Sequence, residues 1–226
     1  MQEDSYNMKI NKVFIEKFRE KIIKWGQKHF VAYPWRLTKD PYKLLIAEAL
    51  LHRTRSEQVV PLYLNIIKKY PNIHALAATD ISELEKILFS AGLRWRIKKL
   101  YEMAKEIVNK YGGKIPEDYD ELRSLPGVSD YIASAVRCFA FNYPDPIIDT
   151  NTVRIIGRVL GLTISDSLRR KKSFKQLVKQ LVDPKNPASF NFALLDLGKI
   201  VCKARNPLCY KCPIYSLCCY AKKINQ

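Results

Sequence analysis

Four cysteines close to the C-terminus, Cys202, Cys209, Cys212 and Cys218, are spaced C-x6-C-x2-C-x5-C within CKARNPLCYKCPIYSLCC. Four thiolates in one short, loop-rich segment form a candidate metal-ligand set. A structural zinc site opens with two ligands about 2–4 residues apart, which the x6 gap fits poorly. A [4Fe–4S] cluster takes four Cys ligands and tolerates irregular spacing. The cluster is therefore the first reading, zinc the second and unligated thiols the third. Cys219 could compete with Cys218, while Cys138, inside the helical run IASAVRCFAF, reads as a small core residue.

Two carboxylates stand where chemistry is possible. Asp149 directly precedes a helical pattern in IIDTNTVRIIGRVLG. Asp is a favoured N-cap, and a helix N-terminus also keeps a carboxylate ionised, as a group that stabilises developing cationic charge must be. Structural cap and catalytic group are compatible readings. Glu48 lies at helical offsets from Leu44, Leu45, Leu51 and His52, a setting in which an ionised carboxylate is costly and its pKa should rise. Pairing with an arginine or the backbone is the alternative.

The stretch SLPGVSDYIASAV reads as a tight connection between two helices. Pro126 fixes the entry, Gly127 supplies a permissive backbone, and Ala133, Ser134 and Ala135 let the second helix approach a neighbour closely. Such a turn, with the helix N-terminus behind it, can hold a phosphate; it can equally be a structural αα-hairpin.

The elements that must position these residues are helical. Apolar residues recur with helical spacing at Val13, Phe14, Phe18, Ile22 and Trp25, at Leu84, Ile87 and Leu88, and at Leu100, Ala104 and Ile107. Asp40 and Pro41 open the helix YKLLIAEALLHRT as N-cap and first residue. Pro- and Gly-containing breaks fall at VAYPWRLTKDP, YPN, YGGKIPED, SLPGVSD, NYPDP, VDPKNP and ARNP, with no repeat and no convincing alternation. An all-α fold is expected.

The chain has 226 residues, enough to bury a core without staples. Its 39 Lys and Arg against 22 Asp and Glu give a formal charge of +17, which favours a polyanionic partner. LLIAEALL, the longest apolar run, is too short to span a bilayer and contains Glu48, so no membrane partner is expected. The acidic start MQEDSYNMKI lacks the apolar core of a secretory signal, which places the cysteines in a reducing compartment. The basic stretches RWRIKK (94–99) and RRKK (169–172) could track phosphates but read first as solvated helix faces, and no site is assigned to them.

LPGVSDY, then IIDTNTVR, then DLGKIVC leading into the cysteine set, resembles the iron–sulfur branch of the helix-hairpin-helix DNA glycosylases, the endonuclease III superfamily. The resemblance runs from about Phe30 to Cys218. YPWRLTKDPYKLLIAEALLHRT is similar to the adenine glycosylases and the mismatch thymine glycosylases within it, which share Pro-Trp-Arg, Asp-Pro-Tyr and a helix glutamate matching Glu48.

The resemblance implies a two-lobed helix-hairpin-helix fold: a six-helix domain over residues 34–143, and a cluster domain made of 1–33 plus 144–226 that ends in a [4Fe–4S] loop, with DNA across the cleft between them. It implies that Asp149 is the essential carboxylate and that the hairpin at Gly127 and Ser129 clamps a phosphate. Ser129 replaces the second glycine of the family's Gly-x-Gly turn; a positive φ there would cost about 1 kcal/mol or more. Tyr131 matches the position where bifunctional members carry a Schiff-base lysine. A tyrosine cannot form that imine, so hydrolysis without strand cleavage is expected.

The implied chemistry is base flipping followed by departure of the base through an oxocarbenium-like transition state. Asp149 stabilises the charge or directs water, and Glu48 donates a proton or orients the base. The substrate is double-stranded DNA containing a mismatch, with the protein acting as a monomer in a cytoplasmic, nucleoid-associated or other DNA-containing reducing compartment. Adenine glycosylases usually carry a further C-terminal domain, for which 226 residues leave no room, and have Gln-Gln-Thr where this chain has His52-Arg53-Thr54. A basic pair there is similar to the thymine enzymes, in which an arginine fills the gap left by the flipped base. Thymine or uracil opposite guanine is therefore the expected target, with adenine opposite guanine or oxidised guanine the second. A non-catalytic iron–sulfur DNA-binding protein is the reading from a different class.

Overall fold

In the computed structural model the described residues are 10–52, 54–88 and 94–224, and their regular structure is helical, with no strand among them. The chain divides into two compact units: Ala32–Phe141, and the remainder up to Val31 together with Asn142 onward.

The 32–141 unit contains α2 (Pro41–Leu51), α3 (Ser56–Lys69), α4 (Ile73–Ala77), α5 (Ile81–Leu88), α6 (Arg94–Tyr111), α7 (Tyr119–Ser124) and α8 (Asp130–Phe141). These are seven helices among the described residues where the resemblance implied six; α4 is a single short turn of helix, set off by the Asn72 side chain accepting from Ala75 N at 2.9 Å. Helix α2 starts as its sequence dictates. Asp40 Oδ1 accepts from Tyr42 N at 2.9 Å and Lys43 N at 3.4 Å, and Pro41 takes the first position.

Nearly every side chain of α2 is buried, including Leu44, Leu45, Ile46, Ala47 and Leu50, because it is the central rod on which α3, α6 and α8 pack. Full burial of each large apolar side chain stabilises by about 1.5–3 kcal/mol. Helix α8 packs on α2, and its small residues Ala133, Ser134 and Ala135 are all buried.

The other unit contains α1 (Lys12–His29), α9 (Thr150–Leu160), α10 (Lys172–Leu181), α11 (Pro187–Ile200) and α12 (Cys219–Lys223). Phe18 and Ile22 of α1 are fully buried, with Phe174 and Phe190 beside them in one core. Val13, on the same predicted stripe, is 57% exposed although Ile10 and Phe14 on either side of it pack against that core, so its side chain faces away from it. Helices α1 and α11 pack closely: a Cβ at Gly26 would lie 2.4 Å from Ala193 Cβ, so only glycine fits.

Candidate functional site

Between α7 and α8 the chain turns at Leu125–Ser129. Leu125 and Val128 are buried, Val128 N donates to Leu125 O at 3.1 Å, and Gly127 is exposed at φ +81°. The left-handed conformation requires glycine, and a Cβ there would also meet Lys99 Cβ at 3.0 Å. Ser129 does not share that conformation. Asn142 and Asn206 are the non-glycine residues with positive φ among those described, and Ser129 instead caps α8, its Oγ accepting from Ile132 N at 3.3 Å. Serine at the family's second glycine therefore carries no backbone strain and supplies an N-cap.

The turn forms one wall of a cavity of about 250 Å³, lined also by Ala49, His52, Arg96, Lys99 and Met103. It brings together His52, Gly127 and Ser129, three of the residues expected to face DNA. Arg53 lies outside the described residues. Arg96, in a run expected to form a solvated face, is instead 8% exposed and donates from Nη1 to Leu50 O and Thr54 Oγ1, both at 3.0 Å. It fastens the C-terminal end of α2 and the chain just beyond it. Lys98 and Lys99 are exposed, as a solvated face requires.

Glu48 is 3% exposed in the middle of α2. Tyr131, second residue of α8, is partly buried against the hydrophobic core of the same unit. Both therefore sit on the central pair α2 and α8, which pack on one another.

Asp149 belongs to the other unit and caps α9. Its Oδ1 accepts from Thr152 N at 2.7 Å and its Oδ2 from Asn151 Nδ2 at 2.7 Å. Asn151 is in turn held: its Oδ1 accepts from Arg154 Nη2 at 2.7 Å, and the same guanidinium donates to Gly198 O at 2.9 Å and from Nε to Cys202 O at 2.7 Å. Gly198 lets α11 come close enough, since a Cβ there would lie 2.6 Å from Asn151 Cβ. Thr152 Oγ1, buried, donates to Ile147 O at 2.7 Å and secures the incoming strand of chain. The carboxylate thus accepts at both oxygens at the positive end of a helix, an arrangement suited to an ionised group. Asn151 and Arg154 are positioning residues that the sequence did not single out, although both lie in DTNTVR.

The four cysteines Cys202, Cys209, Cys212 and Cys218 line one cavity, with Ile155, Val159 and Ile214 as apolar wall. Arg158 of α9 pins the loop around them, donating to Lys203 O at 2.7 Å, Ala204 O at 3.0 Å and Cys202 Sγ at 3.4 Å. Its carbonyl accepts from Cys218 Sγ at 3.5 Å. Burial pushes the Cys212 thiol up to about 12, and raises those of Cys209 and Cys218. Thiolates in this cavity therefore need an added cationic centre.

Among the described residues no three His, Cys, Asp or Glu side chains gather as they would around one metal ion. Cys219 is not part of that wall; it lies against Gly161, whose added Cβ would meet Cys219 Cβ at 3.5 Å. Cys138 is fully buried in the 32–141 unit. No helix among the described residues is long and apolar enough to cross a membrane.

A family model described as the HhH-GPD superfamily base excision DNA repair protein matches residues 46–184. A thymine-DNA glycosylase of Aeropyrum pernix is 38% identical over 219 residues, covering 93% of this chain and 97% of the relative. An adenine DNA glycosylase of Buchnera aphidicola is 32% identical over 203 residues, covering 89% of this chain but 57% of the relative. The solved structure of a thermostable thymine-DNA glycosylase superposes with a TM-score of 0.88 at 34% identity, over 92% of this chain and 97% of that one.

Proposed function

Because the chain belongs to the HhH-GPD superfamily of base excision DNA repair proteins, we propose that it is a monofunctional DNA glycosylase that removes thymine or uracil opposite guanine from double-stranded DNA, acting as a monomer. The observation that carries the reading is the Asp149 carboxylate, oriented by Thr152 N and Asn151 Nδ2 at the N-terminus of α9. A fixed anion of this kind does nothing for a neutral sugar and much for one that acquires positive charge.

In the proposed reaction the target nucleotide leaves the stack, at a cost of a few kcal/mol that is least for a mismatched base. The N-glycosidic bond breaks with its electron pair going to the base. Charge develops on C1′ and the ring oxygen of the sugar, where Asp149 stabilises it or directs water. The departing base takes a proton or a hydrogen bond, for which Glu48, buried on α2, is the candidate. Tyr131 packs and hydrogen-bonds without attacking the sugar, so the strand stays intact. His52 and Arg53 follow α2, where Arg96 secures the chain end, and Arg53 is assigned the gap left by the flipped base. The turn at Gly127 and Ser129 holds a backbone phosphate, and the formal charge of +17 supports binding of a polyanion.

The spacing C-x6-C-x2-C-x5-C supports a [4Fe–4S] cluster over zinc, and Cys202, Cys209, Cys212 and Cys218, which wall one cavity, are the residues that would hold it. A bound cluster would supply Fe–S bonds that tie the loop together. This chain's own part is done by Arg158 and Arg154, which bind that loop's backbone to α9.

Removal of adenine is the second reading, supported by the adenine glycosylases among the relatives. The Asp149→Asn variant tests the mechanism. An asparagine side-chain oxygen can still cap α9 but cannot stabilise a cation, so release of thymine from a T·G duplex should fall by at least about 10²-fold, a loss typical of removing one electrostatic contact to the transition state, while mismatch affinity is retained. Activity within tenfold of the wild type would remove Asp149 from the mechanism.

A further inference from the structure

The hairpin carries a charge that does not suit a phosphate clamp. Asp130 is the first residue of α8, directly behind the turn, and its side chain is half exposed. An anion at that point repels the phosphate that the turn is built to accept, even though it suits a helix N-terminus. One side chain answers both. Arg123, in the last turn of α7, donates from Nε to Asp130 Oδ1 at 2.6 Å and from Nη1 to the Val128 carbonyl.

A guanidinium presents its donors as a rigid fork. Here one prong cancels the carboxylate and the other grips the backbone between Gly127 and Ser129. The two elements of the hairpin are thereby joined across the turn, with Gly127 resting over Lys99 on the side of the cavity.

We propose that Arg123 is a positioning residue for DNA binding: it neutralises Asp130 and holds the 127–129 turn in its phosphate-accepting form, without itself contacting the phosphate. The proposal rests on the reading of the hairpin as a phosphate clamp. It predicts an energetic coupling between two residues that a direct phosphate contact would not produce.

The test is a double-mutant cycle on duplex affinity, measured by fluorescence anisotropy at several salt concentrations, with circular dichroism melting to establish that each variant is folded. Arg123→Ala removes the Arg123 charge from Asp130 and should weaken binding to matched and mismatched duplexes alike, by roughly fivefold at low salt, the difference shrinking as salt screens the carboxylate. Asp130→Asn alone should change affinity by less than about twofold, because that charge is already cancelled in the wild type. The combination Arg123→Ala with Asp130→Asn should recover a large part of that loss, the remainder being the lost grip on the Val128 carbonyl.

If the combined variant recovers nothing relative to Arg123→Ala, offsetting Asp130 is not what the arginine does and the inference fails; it fails also if Arg123→Ala binds like the wild type. Gly127→Ala separates this from the parent reading, since it strains the turn and pushes on Lys99 without touching Arg123 or Asp130. If folded Gly127→Ala binds as tightly as the wild type, the clamp itself is wrong. If it binds weakly while Arg123→Ala does not, only the role of Arg123 is lost.

Discussion

Asp149 depends on neighbours that make no claim on attention as residue types. Its Oδ2 is held by Asn151, and Asn151 by Arg154, whose guanidinium reaches Gly198 O and Cys202 O. Replacing Asn151 with alanine leaves the Thr152 N–H to cap through Oδ1 but frees the carboxylate to rotate. Single-turnover base release should then fall about tenfold, as expected for partial loss of an oriented electrostatic group, with duplex affinity unchanged; a parallel loss of affinity would mean that the asparagine supports the fold rather than the carboxylate. Asp149 itself was legible, because an aspartate before a helical pattern is a recognisable cap. Asn151 and Arg154 were not, since their roles exist only when α11 and the cysteine loop are brought against α9. Tyr131 makes a second residue-scale test. Tyr131→Lys places an amine where the family's lyases carry one, so borohydride should trap a covalent complex with substrate DNA that the wild type does not form. Efficient trapping by the wild type would overturn the monofunctional assignment.

At the scale of elements, the α7–α8 turn joins local chemistry to a surface. Ser129 caps α8 rather than occupying a strained conformation, so Ser129→Ala should cost about 0.5–2 kcal/mol of stability, read as a lower thermal midpoint. A stabilising effect would show that the cap is not formed. The start of α2 could be read from Asp40-Pro41 and its apolar run because those signals are local. The cavity beside the hairpin could not. In the run RWRIKK, Lys98 and Lys99 are exposed as predicted, whereas Arg96 turns inward to satisfy Leu50 O at the end of α2. Spacing alone does not reveal which member of a basic run will find a buried carbonyl. The helix count differs for the same kind of reason: α4 is five residues long, too short to show a period.

At the scale of the molecule, the chain makes two helical units, one of them assembled from both ends of the sequence. The all-α class followed from periodicity. The pairing of α1 with α11 includes the Phe18–Phe190 contact and a close approach at Gly26 and Ala193, a complementarity that no local pattern announces. The cysteine set was legible by spacing, and purified protein should be brown and hold about four irons per chain, the content of one [4Fe–4S] cluster. One zinc per chain without iron would contradict it. Loss of Cys202, Cys209, Cys212 or Cys218 should lower iron content, whereas Cys138→Ala should not, because Cys138 lies in the core of the other unit.

The central claim is that this chain hydrolyses the bond to a pyrimidine mispaired with guanine and goes no further. It is tested most directly by incubating the protein with labelled duplexes carrying T·G, U·G, A·G or A opposite oxidised guanine and resolving the strands before and after alkali. The account predicts intact strands before alkali, and after it cleavage at the T·G and U·G sites alone. Cleavage confined to the adenine duplexes, or no cleavage of any duplex, would contradict it.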